Sequence, residues 1–337
     1  MSGIGIPRET FEGLPGLGLW QADHGTNAAA PPLSQPPLPA FRRLLHGGFA
    51  HPAEYNFARL LSFYGIRWAY EPTTFAIEWN PAGQAIGFFS PDFYLPRYDQ
   101  YVELTTMRQP LVTRKNRKLR RVRTLYPNLR IKLLYKRDLE RLHQAYPPSV
   151  EESNQESLGE ILFSATEIRA NLSSLVEQVA DEWLGSCRGG EQPLVLGVGH
   201  GSDRTVAVIS EMFRRLGLAV EAERLDISRY RGSEATTRIR LADQTVGRLR
   251  GKRILVVEGI VSSGLSLAAV GAWLDRHRVV EWRTCALLDR RNARLIEAPL
   301  EWVVFPAPDD LLVGFGLALR RRFSGLPHIA RLECTPS

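Results

Sequence analysis

From Ile168 onward, short apolar runs alternate with stretches of helical periodicity, and that alternation restricts the second half of the chain to a parallel α/β sheet. The expected elements are a helix at 168–184, a strand at 193–198, a helix at 204–216 and a strand at 219–226. A strand at 254–258, a helix from about Leu267 and a strand at 280–288 follow. One junction in this series carries chemistry. The strand ending at Glu258 breaks into a Ser/Gly loop, Gly259 to Ser266, before the next helix. Such a loop cradles a phosphate, because its N–H groups and the positive end of the helix converge on one point. Ser262, Ser263 and Ser266 add hydroxyls, Gly264 lets the backbone approach the phosphate closely, and Leu265 belongs to the same loop. An ordinary β-to-α turn has a similar composition, so the neighbouring segments must decide between the two.

A length of 337 residues admits two cored domains, and 44% hydrophobic with 23% charged residues is a globular composition. No apolar run reaches the length of a membrane span, and the N-terminus lacks the pattern of a signal peptide. Cys187, Cys285 and Cys334 are too scattered for a disulfide framework or a metal knuckle. The expectation is a cytoplasmic chain without a membrane partner. Residues 1–150 hold 19 Lys and Arg against 11 Asp and Glu, whereas the remainder holds 24 against 25. The net charge of +7 therefore resides in the first half, which directs a polyanionic partner there.

Composition divides the chain into four parts. Residues 1–40, rich in Gly, Ala and Pro, read as a disordered arm, and 146–158, with two prolines and a Glu/Ser/Asn cluster, as a linker. Between them, 41–145 reads as an α/β domain, and 159–335 forms the second domain. Within the first, a helix begins near Pro52, strands lie at 74–79, 86–94, 100–105 and 130–135, and a very basic helix covers 113–126. Asp92 and Glu103 fall near the ends of adjacent strands, where two carboxylates can share a hard divalent cation such as Mg2+. Glu54, on the first helix, is a candidate third ligand or a group orienting metal-bound water. Arg114, Lys115, Arg117, Lys118, Arg120 and Arg121 form a candidate nucleic-acid contact along the phosphate backbone, against the simpler reading of a solvated face.

The order of helix with Glu54, Pro91-Asp92, strand with Glu103 and basic helix resembles the PD-(D/E)xK nuclease superfamily, including its Vsr-like and transposon-end-cleaving members. That resemblance implies a mixed-sheet α/β domain that acts on nucleic acid with a metal held by Asp92 and Glu103. The superfamily usually has Lys two residues after the Glu; here that residue is Thr105, and Lys115 or Lys118 is the candidate substitute.

In the second domain, Gly197, Gly199 and Gly201 alternate, which departs from the GxGxxG spacing of a dinucleotide-binding fold. Six segments, beginning at Gly159, Leu196, Ile227, Ile254, Thr284 and Pro308, together resemble the type I phosphoribosyltransferases of the hypoxanthine/guanine branch. The resemblance implies a parallel-sheet fold, phosphoribosyl pyrophosphate (PRPP) or a purine nucleotide as ligand, and magnesium. It makes 262–266 the 5′-phosphate loop and Glu258 the first of two ribose-binding acids, with Gly259 in place of the second. Ser262 occupies the position of the acid that assists the purine N7, and His200, before Gly201, that of a pyrophosphate-loop Lys. Tyr230 of the mobile loop is kept, with Arg229 in place of its Ser partner. Arg290 replaces the Lys that reads the purine's exocyclic oxygen, and Leu311, followed by Leu312, replaces the stacking aromatic. Ala318 and Ser324 stand where a metal-linked Asp and a pyrophosphate-binding Arg belong. Ser262 cannot act as a carboxylate base near neutral pH. The expected function is thus a nuclease-like protein whose second domain holds a purine nucleotide or PRPP without transferring it. A divergent purine phosphoribosyltransferase of purine salvage and a non-catalytic nucleic-acid-binding regulator remain alternatives, and a second copy of the chain stays open as a partner.

Overall fold

The computed structural model describes residues 48–105, 109–143, 155–183, 193–227, 239–240, 246–318 and 322–335, all within one unit, Phe41–Ser337. The arm at 1–40, most of the expected linker, the loop around Tyr230 and the side chain of Arg114 lie outside the described residues. Among the described residues no helix is long and apolar enough to cross a membrane.

The first helix, α1 (Pro52–Phe63), starts at a capping box. The His51 side chain accepts from Ala53 N–H, Glu54 accepts from His51 N–H, and Pro52 sits where its missing donor costs nothing. Phe57, Leu60 and Leu61 recur at helical spacing and are buried. Strands β1 (Ala69–Tyr70), β2 (Phe75–Trp79), β3 (Ala85–Phe89), β4 (Phe93–Leu95) and β5 (Gln100–Thr105) follow. The expected strand at 86–94 is divided in the structure. β3 pairs with β2 in a hairpin, whereas β4 joins a second sheet, because Pro91 cannot donate to a ladder and interrupts the pairing. Helix α2 (Gln109–Leu125) leads to β6 (Ile131–Tyr135) and α3 (Lys136–His143). The four-stranded sheet has the order β1-β4-β5-β6, with β4–β5 antiparallel and β5–β6 parallel, so it is mixed. Side-chain alternation along β5 sends Val102 and Leu104 into a core with α1, and Tyr101 into a core with Leu119 and Val122 of α2.

The second half begins with β7 (Gln155–Phe163), which starts inside the stretch expected as a linker; residues 155–158 pair with the last strand of the chain. Next come α4 (Ala165–Glu182), β8 (Leu194–Val198), α5 (Asp203–Arg215), β9 (Glu221–Ile227), β10 (Ile239–Arg240), β11 (Arg253–Val261) and α6 (Leu265–Arg276). The chain closes with β12 (Glu281–Asp289), β13 (Trp302–Pro306), β14 (Leu312–Val313) and β15 (Ile329–Thr335). Five strands in the order β9-β8-β11-β12-β13 are parallel, with β10 antiparallel at the edge. Val195, Leu255, Val257 and Leu287 face one core, and Leu194, Leu196, Ile254, Val256 and Ala286 face the other. Both faces are covered, which explains the continuous apolar runs. β14, β15 and β7 form a separate antiparallel sheet.

The two halves share a core. Leu265, Ala268 and Ala269 of α6, with Leu295 and Ile296, are buried in the same cluster as Phe57, Leu61, Val102 and Leu104. The Gln100 amide donates to Leu295 O at 2.7 Å, and Arg97 pairs with Asp275 at 2.9 Å.

Candidate functional sites

Asp92 and Glu103 interlock through the backbone of their own strands. Asp92 N–H donates to Glu103 Oε2 at 3.1 Å, and Leu104 N–H donates to Asp92 Oδ2 at 2.6 Å. Both carboxylates are buried, at 7% and 2% exposure. Burial pushes Asp92 up to about 8, with the Glu103 charge adding to the rise while Lys115 and the Leu104 amide oppose it. Glu103 is also raised, again by burial first, with Lys115 pulling it back. Lys115 Nζ lies 2.6 Å from Glu103 Oε1 and also donates to Leu104 O. Lys118 instead donates to Phe88 O at 3.1 Å and ties α2 to β3, so of the two candidate lysines only Lys115 enters the carboxylate cluster.

Glu54 is held beside this pair. Its Oε2 accepts from Ala50 N–H, His51 N–H and the Tyr70 hydroxyl, the last at 2.7 Å, and its charge contributes to the rise of Asp92. Sequence reasoning missed Tyr70; its only signal was a polar aromatic on the strand preceding the hairpin. Thr105 is 3% exposed, and its Oγ1 has no hydrogen-bond partner among the described residues. The described residues contain no group of three or more His, Cys, Asp or Glu that could hold a metal. Two hard carboxylates suit Mg2+, which keeps several waters and is commonly bound through one or two carboxylates.

On α2 the basic run is not evenly solvated. Leu119 and Val122 are buried and Lys115 and Lys118 turn inward, leaving Arg117, Arg120 and Arg121 exposed. Arg121 lies 3.9 Å from Glu78 on the hairpin.

The loop expected to hold a phosphate is shorter in the structure than its sequence suggests. β11 continues three residues past Glu258 because Ile260 and Val261 keep pairing with Leu288 and Asp289, and α6 begins at Leu265 rather than near Leu267. The loop proper is Ser262, Ser263 and Gly264. Gly264 has φ +81° and caps α6, and a Cβ there would lie 2.7 Å from Ile296 O, so glycine is required twice over. Ser263 O accepts from Leu295 and Ile296 N–H at 3.0 and 3.2 Å, which anchors the loop from behind. Ser262, Ser263 and Ser266 are half-buried at the helix N-terminus, where backbone N–H groups and the dipole favour an anion; Leu265 N–H donates to Ser263 Oγ at 3.4 Å.

Glu258 is half-buried on β11. Gly259 lies beneath Gly201: a Cβ would be 2.4 Å from Gly201 O, leaving no room for a side chain. His200 is largely exposed, 3.3 Å from Asp203, which also pairs with Arg224 at 3.2 Å. Arg290 donates to Pro308 O at 3.1 Å and to Asp310 O, bracing the segment before Leu311. Leu311 packs beside Val313, Leu332 and Phe323, and Leu312 is buried in β14. For a pyrophosphate-bound magnesium the residues present do not fit, since Gly259 and Ala318 supply no carboxylate where the resemblance expects one.

Residues 164–315 match the phosphoribosyl transferase domain family. With its parallel sheet and strand–loop–helix junction, the C-terminal half is a type I phosphoribosyltransferase domain. It is related to the hypoxanthine and hypoxanthine-guanine phosphoribosyltransferases. The hypoxanthine phosphoribosyltransferases of Salmonella typhimurium and Escherichia coli are each 28% identical over 174 residues, covering 51% of this chain and 94% of the relative. The hypoxanthine-guanine phosphoribosyltransferase of Lactococcus lactis is 26% identical over 185 residues, covering 55% of this chain and 96% of the relative. A solved hypoxanthine phosphoribosyltransferase of Trypanosoma cruzi has 24% identity and a TM-score of 0.48, covering 52% of this chain and 92% of that one.

Proposed function

We propose that this cytoplasmic protein binds a purine nucleotide or PRPP in its C-terminal domain without transferring the ribosyl group, and that its N-terminal lobe is a metal-dependent, nuclease-like module acting on nucleic acid. The observation that carries the first part is the contact between Gly259 and Gly201, which closes the position where a second ribose-binding acid would stand. The cradle of Ser262 to Leu265 keeps its donors for a 5′-phosphate, while Arg290 is engaged with Pro308 and Asp310. Calorimetric titration with inosine 5′-monophosphate and with PRPP tests binding. Incubation with PRPP, magnesium and hypoxanthine tests transfer, and nucleotide formation in that assay would overturn this part.

Asp92, Glu103 and Lys115 support the second part. The two carboxylates would hold a divalent cation, which supplies an acidified water and offsets charge on a phosphodiester. Lys115 favours ionisation of Glu103 and brings a positive charge to the same place, a task Thr105 cannot perform. Exposed Arg117, Arg120 and Arg121 would contact the phosphate backbone without reading sequence. Cleavage of DNA or RNA with Mg2+ or Mn2+, lost in Asp92→Ala and in Glu103→Ala, is the expected result.

A second reading, a divergent hypoxanthine phosphoribosyltransferase, is favoured by relatives that match over 94% of their own length. The transfer assay decides between them.

A further inference from the structure

Resting on the two sites proposed above, we infer that the phosphate loop and the carboxylate pair are coupled through Leu295 and Gln100, so that a nucleotide in the loop tightens metal binding at Asp92 and Glu103. The path is short and buried. Ser263, in the loop, accepts through its carbonyl from Leu295 N–H at 3.0 Å. The carbonyl of the same Leu295 accepts from Gln100 Nε2 at 2.7 Å, and Gln100 is only 6% exposed. Gln100 opens β5, the strand that carries Glu103 and whose Leu104 N–H holds Asp92. A second connection runs in parallel. Leu265, Ala268 and Ala269, at the phosphate end of α6, share one buried cluster with Val102 and Leu104, which flank Glu103.

The physical consequence follows from packing. An anion at the N-terminus of α6 fixes Ser263 and Gly264, which packs closely enough on segment 295–296 that a Cβ there would lie 2.7 Å from Ile296 O. Segment 295–296 is then held at both ends, by the loop and by Gln100. Whichever ligand binds first restricts this path, and the second meets a path already restricted and binds more tightly. The coupling is reciprocal, so metal at the carboxylates must tighten nucleotide binding by the same factor.

The test uses the full chain. Mn2+ is titrated by calorimetry with and without saturating inosine 5′-monophosphate, and the expected gain in Mn2+ affinity is about fivefold or more. In Gln100→Leu each ligand still binds alone, and the factor falls below about two. If both ligands bind the wild-type protein and the Mn2+ affinity is the same in either state, the coupling is overturned while both sites stand. If either ligand fails to bind, the reading of that site fails, and a ligand-free arm decides the coupling. Hydrogen exchange is compared between wild type and Gly264→Val. Faster exchange at Leu104, by about fivefold relative to β8, supports the path, a change large enough to report local opening. A uniform rise across β5 and β8, or no change at Leu104, overturns it.

Discussion

Lys115 Nζ lies 2.6 Å from Glu103 Oε1, joining α2 to β5 beside the buried Asp92. This contact places one cation against two carboxylates that burial disfavours as anions. Lys115→Met leaves Glu103 buried without its partner. The variant is expected to lose about 2–3 kcal/mol of stability at pH 8, below the range for a fully buried pair because Lys115 is partly exposed. At pH 5 the loss is expected to be smaller, because burial raises the Glu103 pKa and acid favours its neutral form. Urea unfolding at the two pH values measures both.

Asp92 binds its proton more tightly in the folded chain, at about 8, than at its ordinary value of 3.8. The protonated group's contribution is therefore fully present below about pH 4 and is lost as pH rises toward 8. The expected slope reaches about 1.4 kcal/mol per pH unit within that window. Asp92→Asn keeps an acceptor for Leu104 N–H and flattens the slope. Melting temperatures of both proteins from pH 5 to 9 check this, and added Mn2+ should stabilise wild type more at pH 8 than at pH 6.

Gly264→Val combines a left-handed backbone with a Cβ 2.7 Å from Ile296 O. A loss of about 2–4 kcal/mol is expected, from backbone strain together with the steric overlap. Inosine 5′-monophosphate should no longer raise the melting temperature, which a thermal-shift titration reads directly.

Placing acids at positions 259 and 262 is not expected to produce transfer. Ser262→Asp enters a half-buried loop and is tolerated, whereas Gly259→Asp drives a Cβ to 2.4 Å from Gly201 O and costs about 1–3 kcal/mol. The double variant, assayed with PRPP, magnesium and hypoxanthine, is expected to form no nucleotide.

Arg117→Glu, Arg120→Glu and Arg121→Glu together reverse the exposed face of α2. Folding stability is expected to stay within about 0.5 kcal/mol. Affinity for DNA should fall at least about tenfold, and the dependence of log affinity on log salt should lose about 0.9 per phosphate contact removed. Fluorescence anisotropy at several salt concentrations measures both.

Much of the fold was legible in the residues because it rests on local pattern. The alternation of strands and helices in the second half, the helix from about Pro52, strand 100–105 and the Ser/Gly junction after Glu258 follow from spacing and turn chemistry. Charge also located the basic helix. The rest depended on partners distant in sequence. Lys115 and Lys118 lie three residues apart on one helix, and only packing against β3 and β5 decides which reaches Glu103. β11 outruns Glu258 because β12 offers it partners, and residues 155–158 become strand because β15 pairs with them. Gly259 reads in sequence as a lost acid; in three dimensions it is the contact point for the Gly201 backbone. By itself the sequence determined most of the elements and the strand–loop–helix junction after Glu258, since both are set by neighbours a few residues apart. Tertiary structure alone decided the cluster around Asp92 and the core that joins the halves, since burial and hydrogen bonds such as Gln100 to Leu295 exist only once the chain has closed on itself.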